Sequence, residues 1–208
     1  MRPLALATTA WICACGGTSA GGGSGTLSAK IEVALKSDST KISVDLHLKE
    51  QPVRGANVVA TDWETEAQAT LEDKQGGRYE TILHGYVRTV AIKVTSGDDE
   101  LDGRLEGPAP FEITRPPANA IVRRGDSDVL SIEWASEAAA ERVEIRAEGV
   151  EPVTLEEDLF HYDLPLGLVQ NGDQKLSIAR ETAVDLAGGT EGSRMRARSE
   201  VDNRFTLE

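Results

Sequence analysis

Cysteine is almost absent from this chain. Its two cysteines, Cys13 and Cys15, lie near the start, and none follows. The rest of the chain therefore has no disulfide, no cysteine-ligated zinc site and no cysteine nucleophile. Aromatic residues are also scarce, at 4% of the sequence, whereas hydrophobic residues as a whole make up 39%. We expect a protein whose stability comes from hydrophobic cores alone.

Positively charged residues are also few relative to acidic ones. It carries 22 lysines and arginines against 35 aspartates and glutamates, a net charge of -13. A chain this acidic repels phosphate backbones, which excludes nucleic acid as a natural partner. It also repels anionic lipid head groups, so a polybasic contact with a membrane is not expected.

The first residues have the pattern of a secretory signal. Arg2 is followed by an apolar stretch over residues 4–14 that only Thr8 and Thr9 interrupt. This is the charged start and short apolar region of a signal peptide. It is too short to cross a bilayer, because a spanning helix needs ~20 apolar residues.

The end of that stretch resembles the lipobox of bacterial lipoproteins. Ile12 is the aliphatic residue, Ala14 the small residue and Cys15 the cysteine of that motif; Cys13 between them is atypical. The resemblance implies that residues 1–14 are a signal peptide and that Cys15 becomes a lipidated amino terminus. The alternatives are a plain signal peptide and a misassigned start codon ahead of a soluble protein.

The residues after Cys15 have the composition of a tether. Residues 16–25 read GGTSAGGGSG, a flexible coil, so we interpret residues 15–27 as a lipidated cysteine and linker. In the lipoprotein family an aspartate after the cysteine favours retention in the inner membrane. Gly16 occupies that position here, so we expect the outer membrane of the cell envelope, with the membrane contact made by the lipid.

Beyond the linker the dominant hydrophobic period is two. Ile31, Val33 and Leu35 alternate with less apolar residues, and similar short runs continue along the chain, bounded by turn formers such as residues 75–77. No segment shows a convincing helical stripe. Short strands with one apolar face predict an all-β protein built from antiparallel sandwiches.

A domain boundary is indicated at a pair of prolines. Pro116 and Pro117 follow the strand-like run that starts at Phe111, and the residues before and within the pair are held extended. A new set of alternating runs then begins. We therefore predict two β-sandwich domains in tandem, over residues 28–115 and 116–208.

Each predicted domain resembles a known type of module. Residues 52–58 and 71–79 contain the loose pattern G-A-x-V … G-x-Y of immunoglobulin-like and prealbumin-like carboxypeptidase-regulatory domains. Residues 129–134, with Trp134 at their end, resemble the second strand of fibronectin type III-like modules. These resemblances imply immunoglobulin-like folds, which serve adhesion, spacing and binding more often than catalysis.

Residues suited to catalysis or cofactor binding are few. His47, His84 and His161 have no histidine or cysteine at metal-ligand spacing, and there is no nucleophile motif or phosphate-binding glycine loop. We predict no catalytic residue, no metal and no cofactor. Sequence spacing leaves open a non-local grouping such as Asp158 and His161 with a distant carboxylate.

Asp98, Glu100 and Asp102, followed by Gly103, imitate the start of a calcium loop. The twelfth position of such a loop requires a bidentate glutamate, and Ala109 stands there. A solvated acidic turn is the preferred interpretation.

Arginines form a ladder near the end of the chain. Arg194, Arg196 and Arg198 alternate with apolar or small residues in the last run. They would either bind an acidic partner or pair across strands with acids such as Glu144. Trp63 and Tyr162 are candidates for sugar stacking, although core positions are expected for so few aromatic residues.

These observations favour a non-catalytic lipoprotein of the cell envelope that acts as a binding, adhesion or scaffold module. Its expected partner is an envelope protein or polysaccharide, with the arginine ladder as the preferred contact. The alternatives are a carbohydrate- or calcium-binding accessory module, which needs exposed aromatics on a flat face or a carboxylate cage, and an enzyme, which needs a cleft with paired acids and a base.

Overall fold

The computed structural model describes residues 26–208, which form strands joined by turns. The strands of the first half are β1 (Leu27–Leu35), β2 (Ser39–Leu48), β3 (Gln51–Pro52), β4 (Asn57–Asp62), β5 (Gln68–Thr70), β6 (Glu72–Asp73), β7 (Arg78–His84), β8 (Thr89–Ser96) and β9 (Asp99–Glu106).

The second half adds β10 (Phe111–Arg115), β11 (Ala120–Val122), β12 (Val129–Ser136), β13 (Arg142–Ala147), β14 (Val153–Leu155), β15 (His161–Pro165), β16 (Gly172–Asp185) and β17 (Arg194–Leu207). Short 3-10 helices lie at Arg124–Asp126 and Leu166–Leu168. Within the described range no helix is long and apolar enough to cross a membrane.

The strands form three sheets. Sheet A has 10 strands, in the order β14-β13-β16-β17-β1-β2-β7-β6, with β11 and β3 attached at its margins. Sheet B has 4 strands, β5-β4-β8-β9, and sheet C has 3, β10-β12-β15. Sheet B packs on the first-half strands of sheet A and sheet C on the second-half strands, so the predicted all-β fold of two sandwiches is confirmed.

The alternation in the sequence determines which side chains enter the cores. On β1, Ile31, Val33 and Leu35 are buried, whereas Lys30 and Glu32 are exposed. One core lies between sheets A and B and a second between sheets A and C. Successive side chains of a strand point to opposite faces, and the face that removes apolar surface from water becomes the inner one.

The last two strands belong to both sandwiches. β16 and β17 are each 14 residues long and pair along their whole length. Met195 and Ala197 on β17 pack in the first core, whereas Phe205 and Leu207 on the same strand pack in the second. The sequence-based division at residues 115 and 116 assigns β10 of sheet C to the first segment and this hairpin wholly to the second.

β17 also borders β1, the first strand of the described residues. It pairs in parallel with β1, in a register that runs from Lys30 opposite Arg194 to Leu35 opposite Ser199. The sheets are therefore antiparallel except at this pair and at the similar pair of β11 with β17. Hydrophobic alternation identifies the inner face of a strand but carries no information about the direction of its neighbour.

The turn between β16 and β17 closes the first sandwich. Ala187 bridges to Asp102 on the edge strand β9, and the amide of Thr190 donates to the carbonyl of Leu27. Gly188 has φ +75°, and a Cβ there would lie 2.5 Å from the carbonyl oxygen of Glu100. Only glycine fits this approach, because it tolerates positive φ and brings no side chain.

A fragment of residues 26–115 should not fold by itself. It lacks β17, the neighbour of β1, and it lacks Leu186, Met195 and Ala197 from the first core. We expect residues 26–208 to melt cooperatively, and the fragment to show no cooperative transition and poor dispersion of its amide NMR signals. A fragment that melted like the parent would show that the first sandwich is independent of the hairpin.

Candidate functional site

The arginine ladder lies on the outer face of sheet A. Arg194, Arg196 and Arg198 point outward from β17, because Met195 and Ala197 between them point into the first core. Their strand runs between β16 and β1, so the ladder has neighbours on both sides. The predicted alternation in this run is confirmed.

Two of the three arginines already have acidic partners. Arg198 Nη1 lies 2.8 Å from Glu144 Oε2 on β13, and its Nη2 lies 3.1 Å from Glu200 Oε2. Arg196 Nε lies 3.2 Å from Glu181 Oε1 on β16. Among residues 26–208, Arg194 forms no ion pair within 4.0 Å. The cross-strand pairing with Glu144 that the sequence offered as an alternative is therefore present, and the partner-binding role of the ladder stays a prediction.

Glu144 is the electrostatic centre of this face. Burial raises the pKa of Glu144, but hydrogen bonds from Arg198 and Arg146 outweigh that effect and leave the pKa below its ordinary value. Burial lowers the pKa of Arg198, but its hydrogen bonds to Glu144 and Glu200 outweigh that effect and raise the pKa above its ordinary value. Glu144 and Arg198 are therefore both charged at neutral pH, and opposite charges meet on this face.

Short side chains on β16 make this face uneven. Ala179 and Ala183 occupy outward positions on either side of Glu181, and their strand lies between β13 and β17. Two shallow hollows result, of about 190 and 210 Å³, and both are lined by Arg142, Glu181 and Arg196. They offer mixed charge rather than a purely cationic pocket.

The candidate acid Asp158 is buried in a polar network. Its side chain and that of Arg180 are both fully buried, with Arg180 Nη2 2.6 Å from Asp158 Oδ2. The carboxylate also accepts hydrogen bonds from Trp134 Nε1 at 2.8 Å and from the amide of Ala140 at 2.9 Å. His161 is exposed on β15. Asp158 is therefore a structural acceptor with no access to solvent, and the pair with His161 has no catalytic geometry.

Arg180 uses its remaining donors to hold the connection between the halves. Nη1 donates to the carbonyl of Ala109 at 3.0 Å and to Ser136 Oγ at 2.6 Å, and Nη2 donates to the carbonyl of Ala138. The guanidinium carbon lies 5.3 Å from the centroid of the Phe111 ring, within cation–π range. Sequence reasoning missed Arg180. The available signal was its parity: it follows the buried Leu176 and Ile178 at a spacing of two.

The acidic residues from Asp98 to Asp102 lie in the turn before β9 and in β9 itself. They belong to the β8–β9 hairpin, where Asp99 and Leu101 share one face of β9 and Glu100 and Asp102 the other. Asp99 Oδ2 accepts a hydrogen bond from Thr26 Oγ1 at 2.8 Å, and Glu100 lies 2.7 Å from Lys93 Nζ. Across residues 26–208 no cluster of three metal-ligating side chains forms. This geometry does not favour the calcium alternative.

The two aromatic candidates have different environments. Tyr162 is partly buried and packs against the second core. Trp63 is 53% exposed on the outer side of sheet B, so the core position expected for it is wrong. Trp63 belongs to the turn after β4, and alternation gives no information about such a position. The proposed lipidation site, Cys15, lies outside the described residues.

No protein-family model and no curated protein matches the chain. Solved structures that resemble it include the adhesin InvE of Yersinia pseudotuberculosis, at 13% identity over 90% of this chain and 62% of that one, with a TM-score of 0.30. Fibronectin(III)-like modules of CbhA from Clostridium thermocellum are also 13% identical, over 84% of this chain and 90% of that one, at 0.27.

A cycloalternan-degrading enzyme from Trueperella pyogenes is 9% identical, over 83% of this chain and 31% of that one, at a TM-score of 0.34. The chain thus spans less than two thirds of the length of the adhesin and of this enzyme. Because all three TM-scores are low, the β-sandwich assignment rests on the sheets and cores described above, and no function is carried over.

Breaking the buried pair should be costly. Asp158→Asn keeps the shape of the side chain but leaves Arg180 as an uncompensated buried charge, which typically costs about 3–5 kcal/mol of unfolding free energy. Urea denaturation of residues 26–208 measures this. Arg196→Ala, which breaks an exposed pair, is the control and should cost about 0–1 kcal/mol. Equal effects of the two variants would contradict the structural role of the network.

Proposed function

We propose that this protein is a non-catalytic binding module of the bacterial cell envelope, held at the outer membrane by lipid on Cys15. In this proposal the first sandwich lies next to the membrane, the second extends away from it, and the outer face of sheet A contacts an envelope protein or polysaccharide. The glycine-rich residues 16–25 connect the lipid to the folded part.

The observation that carries the proposal is the direction of the strands in sheet A. Thr26 and Leu27, where the described chain starts, lie at the end of the first sandwich beside Asp99 and Thr190. From there β1 runs toward the second half, and β17 continues in the same direction to Leu207 in the second core. The 14 residues of β17 span about 45 Å at the ordinary strand rise. The tether would therefore lie at one end of this sheet and the second sandwich at the other, with the arginine ladder of residues 194–198 on the half of β17 nearer the tether.

The arginine ladder is the proposed contact for an acidic partner. The existing pairs of Arg196 and Arg198 are at least partly exposed to solvent, and such pairs are typically worth about 0–1 kcal/mol each. A partner carboxylate would therefore displace Glu181 or Glu144 at small cost. Arg194 adds a cation whose register neighbours on either side are Lys30 and Asp185.

The anchor predicts a defined mature terminus. Intact-mass spectrometry of the full chain expressed in a Gram-negative host should show loss of residues 1–14 and addition of lipid on Cys15. Density fractionation should then place the protein in the outer membrane, and Cys15→Ser should abolish both results. An unmodified terminus, or an unprocessed leader in the wild-type protein, would contradict the anchor.

The ladder predicts a salt-dependent interaction. Replacing Arg194, Arg196 and Arg198 by serine should weaken capture of the partner from detergent-solubilised envelopes and reduce the sensitivity of that capture to salt. A control with the same change of net charge is Lys41→Ser, Arg78→Ser and Arg123→Ser, at exposed positions elsewhere. Unchanged capture by the folded ladder variant would show that the ladder is only a paired sheet face.

A further inference from the structure

We infer that the outer face of sheet B carries a binding site for a neutral polysaccharide, built around Trp63. This inference goes beyond the proposed function, because it requires neither the lipid anchor nor the arginine ladder.

Trp63 is an exposed aromatic platform. Among residues 26–208 it is the only aromatic residue among the large hydrophobic side chains left exposed. Leaving an indole in water forgoes the stabilisation that its burial would give. Tryptophan is enriched at binding interfaces, where its ring is apolar and its N–H is polar. Its ring offers a flat apolar surface with a negative face, which attracts the weakly positive C–H groups of a pyranose.

The platform is held in place before any ligand arrives. The backbone amide of Trp63 donates to the carbonyl of Thr89 at 3.0 Å. Asp62 closes the turn, accepting the amide of Glu64 at 3.0 Å and the hydroxyl of Thr65 at 2.6 Å. The guanidinium carbon of Arg104 lies 4.5 Å from the centroid of the indole ring and covers one of its faces, so a sugar would stack on the other face. A ligand would therefore pay little entropy for ordering the ring.

A hollow beside the ring supplies polar groups. It measures about 340 Å³, at the lower end of the range of ligand pockets. Ala91 contributes a short side chain in its lining, and Thr61, Lys93, Asp102 and Arg104 surround it. A carboxylate accepts hydrogen bonds while ammonium and guanidinium groups donate them, and sugar hydroxyls do both. An aromatic platform beside mixed donors and acceptors suits a hexopyranose.

Charge selects a neutral polymer over an acidic one. The hollow itself has mixed charge, with Lys93 and Arg104 against Asp102, and Lys93 is paired with Glu100 at 2.7 Å. The chain as a whole carries a net charge of -13. A polyanion would be repelled by this acidic protein as a whole, whereas an uncharged glycan would not.

Affinity electrophoresis of the full chain in detergent tests the site, with amylopectin, mixed-linkage β-glucan and galactomannan as probes and alginate as the acidic comparison. We expect at least one neutral glycan to retard the wild-type protein and alginate to have no effect. Trp63→Ala should weaken that binding about tenfold or more, and Trp63→Phe should weaken it less, since stacking is reduced rather than removed.

The matched control is Ile82→Ala, which removes a 63% exposed side chain from sheet A and should leave retardation unchanged. The serine variant of the ladder and Cys15→Ser should also keep it, so failure of the proposed function is distinguishable from failure of this site. The inference is overturned if no neutral glycan retards the wild-type protein, if Trp63→Ala binds as well as wild type, or if only alginate is bound.

Discussion

The buried ion pair of Arg180 and Asp158 is the interaction on which the arrangement of the two halves depends. Removing two charges from water costs several kcal/mol per ion, and only good geometry with further hydrogen bonds offsets this. Here the offsetting partners come from the connection at Ala109, from β12 through Trp134 and Ser136, and from the segment that contains Ala138 and Ala140. A shift of any of these segments would leave a buried charge without its partners.

That constraint positions β16, and β16 positions the rest of sheet A. Its pairing with β17 sets the register of the hairpin, and β17 in turn borders β1 at the centre of the sheet. The two cores therefore cannot move independently without breaking strand pairs. The charged outer face of sheet A and the Trp63 face of sheet B keep a fixed relation to each other, since both belong to the same sandwich.

The alternation of residues predicted which side chains of a strand point inward, but not which core they enter. Alternation identified the inner residues of β1 and the outward direction of Arg194, because side-chain parity is a local property. It did not reveal that Met195 and Phe205 enter different cores, since both have the same parity on one strand. Arg180 was missed because its buried position is stable only with partners distant in sequence, and the exposure of Trp63 follows from a turn that has no periodic signal.

The parallel pairing of β1 with β17 bears on how the protein would respond to mechanical load. If a tether pulls on the start of β1 while the far end of the sheet is held, the strand is loaded along its own length. The bonds from β1 to β17 and to β2 lie across that direction, so they share the load in shear instead of opening one after another. The hairpin turn beside Leu27 adds its bond from Thr190 at the point where the force enters. With this topology, β1 would resist extension although it is the strand that follows the tether directly.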